Sequence, residues 1–176
     1  MLDLGEPLVT ADTCLIRTDP ARVFALLCDP AGFAAFWPEL RTFDHKLAGD
    51  QLEIGDRWQI RALAGVRGID CEAVVTDLKR RDTGGNLWMD WTGHIDPFVG
   101  FGLQRNVFEA ETEWYVRPWT THALVSFIWR LHAEPRRPQA RLMLDLRRLG
   151  WRAMSGLKHE LEIPRASATG QTQDRR

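Results

Sequence analysis

The chain has 176 residues, of which 44% are apolar and 27% charged, with a formal net charge of −1. That length suffices for one sizeable core, and the composition is that of an ordinary globular protein. The near-zero charge leaves no global field to recruit nucleic acid or an anionic membrane, and no apolar run approaches the roughly 20 residues needed to span a bilayer.

The N-terminal "MLDLGEPLVTADTC" lacks the basic and apolar regions of a signal peptide. "LVTADTCLIRT" (Leu8 to Thr18) predicts a first strand with imperfect alternation, Cys14 and Ile16 on one face and Leu15 on the other. Asp19 is placed to cap a helix with Pro20 at its first position. Val23, Phe24, Leu26 and Leu27 supply the helical spacing, and Asp29-Pro30 stops it. "AGFAAFWPEL" predicts one or two further turns ending before Pro38, because the residue ahead of a proline avoids the helical region.

From Arg41 to Ala133 the pattern is strand-like, with turns at "AGD", "AGVRG", "DTGGN", "DPFVGFG" and "RPWTT". Trp58, Ile60 and Ala62 share a face, as do Ile69, Cys71, Ala73 and Val75, and Leu87, Met89, Trp91 and Ile95. In "VFEAETEWYVRP", Phe108, Ala110, Thr112, Trp114 and Val116 point one way, and Glu109, Glu111, Glu113, Tyr115 and Arg117 the other. Ala123, Val125, Phe127, Trp129 and Leu131 continue the apolar face. This predicts an antiparallel sheet with one covered and one wet face. After the Pro-marked hinge "PRRPQ", Ala140 to Glu162 predicts a long helix with a stripe of Leu142, Leu146, Leu149, Ala153 and Leu157, widened by Met143, Met154 and Leu161. One domain over residues 1–163 is expected, with a disordered polar tail over 164–176.

Three widely spaced cysteines, Cys14, Cys28 and Cys71, form neither a disulfide framework nor a zinc pattern, so a reduced, cytoplasmic chain is expected. Basic residues are nearly all Arg, which reads as a GC-rich bacterial genome. Eight Trp stand against one Tyr. Trp suits a core, and equally the wall of a cavity that must not collapse.

"IRTDPARVFALLCDP" followed by "FWPEL", then "IGDRW", then a terminal helix with "GWRAMSGLKHELE", resembles the START-like, or SRPBCC, superfamily. "FWPEL" and the "FVGFG" loop are most similar to its polyketide cyclase/dehydrase branch. The "GW...L..LE" ending is similar to the branch related to heat-shock chaperone ATPase activators. The resemblance covers about Leu8 to Glu162. It implies an α+β helix-grip fold: a curved antiparallel β-sheet wrapped around a long C-terminal helix, with two short helices after strand 1 forming a V under one end. It also implies a deep apolar pocket between helix and sheet. Members bind lipids, sterols, polyketides or plant hormones there, and some catalyse cyclisation or dehydration.

The alternation face then supplies the candidate ligand wall: Trp58, Cys71, Met89, Trp91, Phe108, Thr112, Trp114, Phe127 and Trp129, joined by Trp37 from the short helices and by Met143 and Met154 from the long one. The same row reads equally as plain core. It contains no carboxylate, His or Arg, so acid–base chemistry has no evident agent on it. Cys71 is its only thiol and reads first as a small buried hydrophobe. His45 and Cys71 are the residues to test for catalysis. The five His have no ligand spacing, so no metal and no cofactor is expected. The loop "DWTGHIDPFVGFGLQRN" puts Phe98 and Phe101 where polar residues are usual, as a lid over the pocket mouth, a docking point for a protein partner, or a loop tucked against the long helix. Three functions follow: binding of a small hydrophobic molecule, a cyclase/dehydrase-type enzyme, or an interaction module engaging a protein partner. A homodimer is compatible with each. Nucleic acid is not expected, since the Arg run of the helix is interleaved with acids and most Trp are assigned inward.

Overall fold

The computed structural model describes residues 6–37, 42–46, 51–64, 67–95, 106–132 and 139–163. The loop carrying Phe98 and Phe101 and the tail beyond residue 163 lie outside the described residues.

The element order is β1 (Leu8–Ile16), α1 (Pro20–Leu27), α2 (Pro30–Phe36), β2 (Thr42–Lys46), β3 (Arg57–Ala64), β4 (Arg67–Arg81), β5 (Gly84–Ile95), β6 (Asn106–Trp119), β7 (His122–His132) and α3 (Gln139–Glu162). The strands form one antiparallel sheet in the order β1-β7-β6-β5-β4-β3-β2. This is the α+β helix-grip architecture.

The strand order explains the two short helices. β1 is one edge of the sheet and β2 the other, so the chain between them must cross six strand spacings, roughly 29 Å. α1 crosses the faces of β5, β6 and β7, and α2 reaches β2 and α3. Both helices begin on an Asp-Pro pair. The Asp19 carboxylate accepts from Ala21 N at 2.8 Å, and Asp29 accepts from Ala31 N at 3.0 Å. Each cap satisfies a backbone donor that the first turn cannot, and each Pro sits where its missing N–H costs nothing. α2 ends with Trp37 in extended backbone, immediately before Pro38. The first strand stops at Ile16, two residues short of the expected end. Thr18 N turns back onto Ile16 O at 2.9 Å to deliver Asp19 to its cap.

One face of the sheet is buried. Ala73, Val75, Leu87, Met89, Ala110, Thr112, Trp114, Val116, Ala123, Val125 and Phe127 all lie on it at 2% exposure or less. α3 closes the core from above with Ala153, Met154 and Leu157. It runs alongside β1: Lys158 Nζ donates to Leu15 O, and Glu162 Oε1 accepts from Arg17 N at 2.8 Å.

One departure from simple alternation matters. Val75 pairs with Met89, but Asp77 pairs with Trp88, leaving Thr76 as the extra residue of a β-bulge. Beyond it Leu78 pairs with Leu87, so the inward parity of β4 switches from odd to even. Arg80 thereby shares Leu78's side, where its Nη2 donates to Leu52 O at 2.6 Å.

Candidate functional site

Directly opposed residues of antiparallel strands share a face, so the pairings define rows across the inner surface. One runs Asp12–Phe127–Trp114–Leu87–Leu78. The next runs Thr10–Trp129–Thr112–Met89–Val75. A third runs Leu8–Leu131–Ala110–Trp91–Ala73–Trp58–His45. Cys71 pairs with Ile60 and Gly93, and Phe108 also pairs with Gly93, so these two stand on a fourth row. The side chains of His45, Phe108 and Met143 are outside the described residues.

The end of this surface under α1 and α2 is filled by rings. Trp114 stacks on Phe127 with centroids 4.1 Å apart and planes at 30°. Phe33 meets Trp58 edge-on at 4.8 Å and Trp114 at 6.1 Å, and Phe36 meets Trp114 at 6.0 Å. Offset and edge-to-face contacts of this kind add to area burial, and this half is core. Trp37 marks the transition. It contacts Phe127 at 6.1 Å on one side, and Trp91 at 6.2 Å and Trp129 at 5.6 Å on the other. Trp91 Nε1 donates to Thr112 Oγ1 at 2.8 Å, so the Thr112 hydroxyl of the candidate wall is already engaged. Met154 is buried on α3, while Trp129 and Cys71 are half-buried.

The inner face is not free of charged groups, contrary to the expectation from alternation. β1 presents its even-numbered residues inward, Thr10 buried and Asp12 half-buried with its Oδ2 buried. The bulge adds Arg80. Thr10 Oγ1, Asp12 Oδ2 and Trp129 Nε1 are buried without a hydrogen-bond partner among the described residues, as is Trp114 Nε1 among the packed rings. Asp12 was missed because inward parity was anchored on apolar side chains. Its signal was present: Leu8, Cys14 and Ile16 share its parity.

His45 and Cys71 are not neighbours in the sheet. Their strands, β2 and β4, are separated by β3, which puts their backbones roughly 10 Å apart. The other two thiols are poor nucleophiles. Burial pushes Cys14 up to about 11, with Lys158 opposing and Glu162 and Asp12 reinforcing the rise. Burial also pushes Cys28 up to about 11 against the opposing Arg80. Both are protonated at neutral pH. Among the described residues, no group of three His, Cys, Asp or Glu is arranged to hold a metal ion.

The outer face carries a shallow groove of about 310 Å³ lined by Thr76, Asp77, Trp88, Asp90, Glu111, Thr112 and Glu113. Asp90 is directly opposite Glu111. Burial, and then the Glu111 charge, hold its carboxyl above the usual range. Arg130 pairs with Glu113 and approaches Glu111 at 3.9 Å, and His132 Nε2 lies 3.6 Å from Glu111. Arg57 pairs instead with Glu72, at 2.7 Å. Tyr115 donates to Glu113 and meets Trp88 edge-on at 5.5 Å. This is a solvated ion-pair network of the kind that contributes little to stability, and its carboxylates do not suit an apolar ligand. Three of the eight Trp face outward: Trp88, Trp119 and Trp151, the last 65% exposed. Trp151 falls two residues beyond Leu149, about 200° around α3 from the buried stripe.

Solved structures share this fold. A START superfamily protein from Mycobacterium smegmatis superposes with a TM-score of 0.65 at 9% identity, over 90% of this chain and 98% of that one. Ara h 8.0201 gives 0.60 at 9% identity, over 88% and 97%. The di-domain ARO/CYC BexL from the BE-7585A biosynthetic pathway gives 0.64 at 16% identity, over 88% of this chain and 46% of that one. No protein-family model and no curated protein sequence matches the chain. The chain therefore has the START-like, or SRPBCC, fold. No helix among the described residues is long and apolar enough to cross a membrane.

Proposed function

We propose that this START-like chain binds a small, largely apolar molecule between the inner face of its sheet and α3. The observation that carries the reading is the set of polar atoms buried in an aromatic surround near β1. Trp37, Trp91 and Trp129 line this part of the face with rings, and Thr10, Asp12 and Trp129 keep buried polar atoms without partners among the described residues. Bulky apolar walls with a few convergent polar groups are what a ligand pocket needs. The fold shared with a START superfamily protein and with a polyketide ARO/CYC supports the same reading.

Titration with N-phenyl-1-naphthylamine tests it. Saturable one-site binding in roughly the micromolar range is expected, with energy transfer from Trp. Trp129→Ala should weaken it at least about fivefold while circular dichroism stays unchanged. Linear, unsaturable uptake, or binding indifferent to Trp129→Ala, counts against the pocket.

A cyclase-type enzyme is the second reading, favoured by one observation: Asp12 gives the inner face a carboxyl group able to take or deliver a proton. His45 and Cys71 stand on strands that do not adjoin and would act separately.

A further inference from the structure

We infer that Asp12, with Thr10 and Trp129, is the polar anchor of the pocket and selects ligands bearing a hydroxyl group. The inference rests on the small-molecule reading above and names the chemistry the pocket would recognise.

Thr10 pairs with Trp129 and Asp12 with Phe127, so Asp12 and Trp129 are diagonal neighbours. Such neighbours stand roughly 7–8 Å apart, within reach of long side chains. Thr10 is 5% exposed. Thr10 Oγ1, Asp12 Oδ2 and Trp129 Nε1 are all buried without a partner among the described residues. Each such atom carries a desolvation cost that calls for a partner, and the register sets the three on neighbouring positions of β1 and β7.

The donor and acceptor inventory narrows the occupant. Asp12 Oδ2 offers an acceptor and Trp129 Nε1 a donor. An ammonium group would suit Asp12, but it has no lone pair to accept from the indole N–H. A carbonyl would suit the indole but offers nothing to Asp12. A hydroxyl does both at once: its O–H donates to Asp12 Oδ2 and its oxygen accepts from Trp129 Nε1 or Thr10. The surrounding rings then hold an apolar or aromatic body.

α3 accommodates this carboxyl by a missing side chain. A Cβ at Gly150 would lie 2.8 Å from Asp12 Oδ2 and 3.5 Å from the Phe127 ring. Glycine in a helix interior is unfavourable relative to alanine, and here it leaves room for the Asp12 oxygen against α3.

The test compares 2-naphthol with 2-methoxynaphthalene, which keeps the oxygen but has no proton to donate. Isothermal titration of the wild type should show 2-naphthol bound roughly tenfold or more tightly, the scale of one hydrogen bond to a carboxylate. Asp12→Leu, and independently Gly150→Ala, should bring the ratio of the two affinities to about one. Equal affinity for the two probes in the wild type overturns the inference and leaves the pocket standing, with the polar atoms held by water. A preference that survives in both variants overturns it too. Failure of both probes to bind the wild type overturns the pocket reading itself. The wild-type comparison stays decisive even where a variant fails to fold.

Discussion

Trp114→Ala is expected to destabilise the protein by about 3–5 kcal/mol, the range for removing a large aromatic side chain from a core. Trp114 is fully buried, stacked on Phe127 at 4.1 Å and edged by Phe33 and Phe36. It is therefore the ring through which the sheet and α2 share one core. No neighbour can collapse into its place, because Phe33, Phe36 and Phe127 are themselves buried and fixed by other contacts. For a chain of this length each kcal/mol moves Tm by roughly 2–4 °C, so thermal unfolding should fall by about 10 °C. A loss under about 1 kcal/mol would mean that this half of the inner face is a plastic cavity wall and not core. The contrast with Trp129→Ala is part of the expectation. Trp129 is half-buried on the far side of Phe127 from Trp114, and its loss should act on ligand affinity.

Gly156→Ala should destabilise as well, and here the sign is the informative quantity. In an ordinary helix interior, alanine is about 1 kcal/mol better than glycine. At Gly156 the added Cβ would stand 1.9 Å from the carbonyl oxygen of Phe36 and 2.9 Å from its carbon. That oxygen belongs to backbone at the end of α2, and Phe36 is 1% exposed, so α2 and α3 must separate. Overpacking of this kind costs about 1–3 kcal/mol, which outweighs the propensity gain. Denaturant unfolding should show a lower midpoint with an unchanged slope. A rise in stability would show that the two helices do not approach this closely.

Much of the fold was legible in the sequence. Alternation in β6 and β7 assigned their faces residue by residue, because period-2 side chains on a half-buried sheet leave that imprint. The two Asp-Pro pairs marked both short helices, and helical spacing found the buried side of α3. Long-range facts were not legible from local pattern. The pairing of β1 with β7, at opposite ends of the chain of strands, has no local signal. The bulge at Thr76 leaves no composition signal, yet it reverses the facing of Leu78 and Arg80. The site was less legible than the fold. Thr10 and Asp12 carry no signal by residue type, and only the parity they share with Leu8, Cys14 and Ile16 turns them inward. Trp151 lies off the stripe that helical spacing assigns to α3, and it is exposed.

The most direct test of the central claim uses the eight indole N–H groups as reporters. In a proton–nitrogen correlation spectrum of tryptophan-labelled protein, assigned by single Trp→Phe substitutions, 2-naphthol is added to saturation. The Trp129 indole signal should shift, with Trp37 and Trp91 following through ring contact, while Trp88, Trp119 and Trp151 on the outer surface stay where they are. Shifts confined to those three outer residues, with Trp129 unmoved, would contradict the claim.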